Sequence, residues 1–175
     1  SNKEIKNLVR RFMPELFDSE FDQMKRIAGE LASNLVERLS RDCQTTSDTE
    51  TLTAQLQQFV RDYSFIQYVY VTDVKGHSTA IAISDPGDQK GYKAFPIGFD
   101  YSNREWFQQP MRTGKLHIMN VHQSQVTGQL IITVSTVITD ANDEIIGVLG
   151  ADIQLEEIIR RAESLEAEEH IGEEE

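Results

Sequence analysis

The sequence predicts an α+β domain. Three observations carry that expectation: an apolar stripe at helical spacing near the start, a change to alternating hydrophobicity after Tyr63, and three strand patterns joined by short turns in the last third. Helices set apart from an antiparallel sheet should place a long N-terminal helix on one sheet face and a loop on the other. A chain of 175 residues is long enough to bury a real core as one domain.

Residues 1–14 form a basic N-terminal segment that stops at Pro14, residues 15–160 the domain proper, and residues 161–175 an acidic tail. From Glu15, the residues Phe17, Phe21, Met24, Ala28, Leu31, Leu35 and Leu39 follow one another by three or four, which is one face of a helix. "TSDTE" then offers Ser47 or Asp48 as an N-cap. A second helix carries Leu52, Leu56, Phe59 and Val60 to about Tyr63.

Two strands follow, "FIQYVYVTD" (65–73) and "HSTAIAIS" (77–84), joined by a turn at "VKG". "DPGDQKGYKAFPIG" (85–98) holds three glycines and two prolines and reads as a long loop. "DYSNREWFQQP" (100–110) should be a short helix ending near Pro110. Strands at 115–123, 129–139 and 144–153 then make an antiparallel meander, and a charged helix from Leu155 closes the chain.

The net charge of −12 argues against nucleic-acid binding, since phosphate contacts need a positive surface. Much of that charge is local, because Glu156 to Glu175 carries nine Glu against two Arg. A single cysteine, Cys43, rules out an internal disulfide. No stretch approaches the roughly 18 apolar residues that span a bilayer. No phosphate loop, nucleophile elbow or Cys–His pair is present, so no enzymatic activity and no cofactor is expected. His117 and His122, five apart on one strand, should point to opposite faces and make no metal site.

Alternation along the strands sorts their side chains. Leu130, Ile132, Val134 and Ile138 suit packing against the helix, while Thr133 and Ser135 look the other way. Tyr68, Tyr70 and Thr72 share a face, as do Leu116, Ile118, Asn120 and His122, and as do Ile146, Val148, Gly150 and Asp152. One sheet face is therefore apolar, and the other mixes phenols, hydroxyls, an imidazole and a carboxylate with apolar groups. An aromatic-rich loop laid over that face would enclose a small-molecule pocket, with Gly150 leaving room beside Asp152.

The run "REWF" after a long loop, then "VSTVI", then "GVLGADI" leading into a charged helix, resembles the Cache family of sensor domains, which are PAS-like. The resemblance covers roughly residues 15 to 160, one module. It implies a central antiparallel sheet, and ligand contacts from the Arg and Trp of an R-x-W-[FY] run and from an Asp on the last strand. Those positions match Arg104, Trp106 and Asp152, with Phe107 in the second aromatic position. Members that bind amino acids typically carry an Asp two residues past the aromatic pair. Gln109 stands there in this sequence, which favours a small carboxylate over an amino acid.

Arg104 can hold a carboxylate bidentately, most strongly where water is excluded. Trp106 can line a pocket or pack the loop. Asp152 needs a partner, either a ligand donor or Arg104 itself. Tyr101, Tyr70, Tyr68, His122 and Ser135 complete the expected ligand set. The resulting expectation is a signal-sensing module, as in chemotaxis receptors and sensor kinases. It would bind a small carboxylate and signal through its terminal helices to an output domain, as a homodimer through the N-terminal helix. The alternative is a non-catalytic dimerisation or scaffold domain without a ligand. The resemblance places such modules outside the membrane between two spanning helices; a complete chain with these flanks would be cytoplasmic, and the excised extracytoplasmic domain is the favoured reading.

Overall fold

A computed structural model of the chain describes residues 18–44, 48–83, 93, 95–123, 128–157 and 160. The N-terminal segment, most of the 85–98 loop and the acidic tail lie outside the described residues. Helix α1 spans Asp18–Cys43 and α2 spans Thr49–Asp62. Asp48 is the residue that caps α2: its carboxylate accepts from Thr51 N at 3.0 Å and from the Thr51 hydroxyl at 2.6 Å. These bonds to the charged form hold the Asp48 carboxyl below its ordinary value.

Strands β1 (Ile66–Thr72), β2 (Ser78–Ile83), β3 (His117–Ile118), β4 (His122–Gln123), β5 (Leu130–Thr139) and β6 (Ile145–Gln154) form one antiparallel sheet. Its order is β2-β1-β6-β5-β3, with β4 also paired to β5. The last strand, β6, which with β5 is one of the two longest, lies between β1 and β5. This puts Asp152 in the middle of the sheet, opposite Tyr68 on one side and Thr133 on the other.

The sheet separates two cores. On one face α1 packs on β5 and β6, and α2 packs on β2 and β1. Val36, Leu39, Leu56, Phe59, Val69, Ile132, Leu149 and Ile153 are buried there, as the strand parity requires. Of the expected α1 stripe, Leu39 is buried in this core; Phe17 and the side chains of Phe21, Met24, Ala28, Leu31 and Leu35 lie outside those described. On the other face Tyr68, Tyr70, Tyr101, Trp106, Phe107 and Val148 form a second, aromatic core.

Two local expectations are corrected. Helix α3 runs Glu105–Thr113, past Pro110 rather than ending at it. Proline lacks only its own N–H, and its carbonyl still accepts from Gly114 N at 2.7 Å, with Gly114 in the left-handed conformation that ends a helix. The expected single strand at 115–123 is two short ones. Ile118 pairs with Val134 and His122 with Ile131, so three residues on one side face two on the other. That extra residue is a bulge, and it inverts the side-chain parity. Leu116 and Val121 consequently pack with the helix-side core, whereas His122 joins the aromatic face. His117 opposes Ser135 and His122 opposes Ile131, which places both histidines on the same face.

Candidate ligand-binding site

A cavity of about 440 Å³ lies between the aromatic sheet face and the segment that runs from Phe95 into α3. That segment is built by short-range bonds. Asp100 Oδ1 accepts from Ser102 N at 2.8 Å, and Arg104 N donates to Tyr101 O at 2.9 Å, making a tight turn immediately before the helix. The segment is strapped to the β1–β2 turn, since Tyr101 N donates to Gly76 O at 2.9 Å and Ser78 N to Phe99 O at 2.9 Å. Arg104 is the N-cap of α3 with extended backbone, φ −85° and ψ 139°, and its side chain makes no capping bond.

Seven of the nine expected residues line the cavity: Tyr68, Tyr70, Tyr101, Arg104, Trp106, His122 and Asp152. Phe107 is buried in the aromatic core outside the lining, and Ser135 is fully buried, also outside it, its hydroxyl without a hydrogen-bond partner among the described residues. Phe95, Glu105, Met119, Gln123, Ile131 and Thr133 line it as well. Ile131 and Thr133 follow from strand parity, because both share the face of Asp152 across the β5–β6 pair.

Asp152 forms the floor. Thr133 Oγ1 donates to its Oδ1 at 2.7 Å and Tyr70 Oη to its Oδ2 at 3.1 Å. Its partners are therefore two hydroxyls, and the expected alternative of a structural pair with Arg104 is not formed. Burial raises the Asp152 carboxyl above its ordinary value; Thr133, His122 and Tyr70 pull it back only in part. Burial and the neighbouring Asp152 likewise push the Tyr70 and Tyr101 phenols upward, so both stay protonated and available as donors. The Tyr101 hydroxyl is buried at the cavity wall without a hydrogen-bond partner among the described residues.

Arg104 sits at the mouth, exposed, and has no ion pair or hydrogen-bonded partner for its guanidinium among the described residues. The expectation of a water-excluded guanidinium is thus corrected: among the described residues no group shields Arg104 from solvent. The expectation for Gly150 is corrected too. A Cβ there would lie 2.8 Å from Trp106 Cε3, so the missing side chain makes room for the indole and none for a ligand. Trp106 in turn stacks on Tyr70 with ring centroids 5.8 Å apart at 25°. Gln109 does not line the cavity, and its Oε1 accepts from Arg112 at 2.6 Å. The ground for disfavouring an ammonium therefore lies outside the site.

The sequence profile described as "Cache domain" matches residues 2–174. The chain belongs to the Cache domain family. The antiparallel sheet with its flanking helices is shared with solved ligand-binding domains of chemoreceptors. The ligand-binding domain of the Campylobacter jejuni chemoreceptor Tlp3, in complex with 4-methylisoleucine, superposes with a TM-score of 0.62 at 17% identity, over 78% of this chain and 55% of that one. The Pseudomonas aeruginosa amino-acid chemoreceptor PctC with GABA gives 0.57 at 24%, over 77% and 60%. Pseudomonas fluorescens CtaA with L-alanine gives 0.58 at 24%, over 78% and 57%. The Cache chain thus spans little more than half of each solved neighbour.

Among curated proteins, the Citrate (Re)-synthase of Syntrophus aciditrophicus is 37% identical over 93% of this chain, which is 26% of that protein's length. The chemotaxis protein McpA of Pseudomonas putida is 23% identical over 75% of this chain and 19% of its own. The Cache domain here therefore corresponds to about a quarter or less of either relative. No helix among the described residues is long and apolar enough to cross a membrane.

Proposed function

We propose that this Cache domain is a non-catalytic sensing module that binds a small organic carboxylate in the cavity above Asp152, the carboxylate seated on Arg104. The observation that carries the reading is a guanidinium without a partner among the described residues, at the mouth of a cavity whose walls are aromatic and whose floor is a buried acceptor. Such a fork binds a carboxylate with two parallel hydrogen bonds. Tyr70, Tyr101 and Trp106 supply flat apolar contact area. Tyr68 and His122 close the remaining sides.

Isoleucine derivatives, GABA and alanine, the ligands of the solved neighbours, each carry one carboxylate and one ammonium. This cavity offers a counterpart to both ends, Arg104 and Asp152. The ligand class is accordingly a small carboxylate bearing a hydroxyl or an amine at its far end. Binding draws the strapped Phe95–Arg104 segment against the ligand and biases α1, which packs on the opposite face of β5 and β6, toward an output partner. A parallel pair of α1 helices in a homodimer belongs to the same reading.

A thermal-shift screen of small organic acids and amino acids tests it. A ligand at 100 times its Kd should stabilise the fold by about 2.7 kcal/mol. Arg104→Ala should abolish that gain while moving ligand-free stability by less than about 0.5 kcal/mol, because the side chain is exposed. Unaltered affinity in this variant overturns the reading, and no shift with any compound leaves a scaffold domain.

A further inference from the structure

His122 touches two partners among the described residues. Its Nδ1 lies 2.9 Å from the Asn120 carbonyl oxygen and its Nε2 lies 3.4 Å from Thr133 Oγ1. A carbonyl oxygen only accepts, so Nδ1 carries a hydrogen. The Thr133 hydroxyl has one hydrogen to give and stands between two groups, the Asp152 carboxyl at 2.7 Å and His122 Nε2. If Thr133 donates to an ionised Asp152, it hydrogen-bonds His122 only by accepting, which requires a hydrogen on Nε2 as well as on Nδ1. If Asp152 is protonated and donates to Thr133, the threonine donates onward to a neutral ring. The two arrangements contain the same number of protons and the same total charge. They differ by one proton passed through the hydroxyl.

We propose that His122 is a specificity-determining residue. It shares one proton with Asp152 through Thr133, so the cavity floor accepts a neutral hydroxyl without moving that proton and an ammonium only as the proton leaves for solvent. In the second case the ammonium N–H takes over as donor to Asp152 Oδ1. Thr133 turns its hydrogen to His122 Nε2, and the proton from Nε2 passes to water. The raised Asp152 carboxyl fits a floor that keeps a proton. The other ionisable groups facing this unit are Tyr68 and Tyr70 from β1, Tyr101 and Arg104 from the covering segment, and Glu105 from α3. Glu105 is already engaged by His117 Nε2 at 2.9 Å, which leaves Asp152 as the carboxyl linked to His122.

The inference rests on the proposed ligand site, yet its central element can be measured without a ligand. Carbon NMR of the Asp152 carboxyl and nitrogen NMR of the His122 ring should titrate with the same two midpoints, as interacting sites do. Thr133→Val, which keeps the shape and removes the hydroxyl, should abolish the shared midpoints. Independent single midpoints, unchanged in Thr133→Val, overturn the proposal; the wild-type spectra decide it even where the variant folds poorly. Calorimetry of L-alanine and L-lactate in buffers of different ionisation heat supplies the second arm. Proton release with alanine and none with lactate supports the assignment, and equal release with both overturns it. If neither compound binds, the failure falls on the ligand reading, and the spectra still decide the shared proton.

Discussion

The Trp106 indole lies on Gly150 so closely that a single added carbon would be 2.8 Å from its Cε3 and 3.0 Å from its Cζ3. This contact limits how closely the Trp106 end of α3 approaches the sheet, where the helix roofs the cavity. Gly150→Ala must push the indole off its stack with Tyr70. We expect a loss of about 1–3 kcal/mol of stability, as for other overpacked cores, together with weakened ligand binding. Because the chain has one tryptophan, its fluorescence reports the displacement directly. An unchanged emission spectrum would refute the contact.

Asp152 makes stability depend on pH with a definite sign. Its folded-state value is raised above the ordinary 3.8, so the native chain holds a proton that the unfolded chain has lost. Stability from this group is present below that ordinary value and falls as pH rises through the raised one. Asp152→Asn stays neutral throughout. The variant should therefore gain stability relative to the wild type as pH rises across the range above that ordinary value, measured as urea midpoints of the ligand-free protein. A constant difference across that range would show that Asp152 titrates as an ordinary carboxyl.

Much of this arrangement was legible in the residue order. Periodicity located both long helices, and alternation assigned Leu130, Ile132 and Val134 to one face and Thr133 and Ser135 to the other. The bulge between Ile118 and His122 was not legible, because an extra residue leaves no compositional mark and yet inverts every side chain after it. Gly150 shows the second limit. A glycine on a pocket face implies close approach, but the sequence does not say whether a ligand or an indole 44 positions earlier makes it. Ser135 shows the third, since parity states which way a hydroxyl points and not what covers it.

Gly76 couples the β1–β2 turn to the ligand segment. It has φ +91°, and a Cβ there would lie 2.9 Å from the Ser102 Cα and N, backbone atoms that cannot swing aside. Gly76→Ala should displace the turn that carries Tyr101 and Arg104, while the helix-side core of Leu56 and Ile132 stays intact. The expected result is reduced ligand affinity with helical circular dichroism retained. Full affinity in this variant would mean that the strap does not position the site.

Two buried hydroxyls on the same sheet face should respond oppositely to removal. Tyr70 Oη donates to Asp152 Oδ2, so Tyr70→Phe preserves the stack on Trp106 but leaves a buried carboxyl oxygen without its donor. The loss should be about 1–3 kcal/mol, and any ligand group seated on Asp152 should bind differently. Ser135 Oγ is equally buried and has no partner among the described residues, so its hydroxyl contributes desolvation without a compensating bond. Ser135→Ala should leave stability unchanged or raise it by up to about 1 kcal/mol, and should leave ligand affinity untouched because Ser135 lies outside the cavity lining. Chemical denaturation of both variants, with the thermal-shift response of each, separates the cases. A Ser135→Ala variant that loses ligand affinity would move the site's boundary beneath the indole, and a Tyr70→Phe variant as stable as the wild type would mean that Thr133 alone satisfies Asp152.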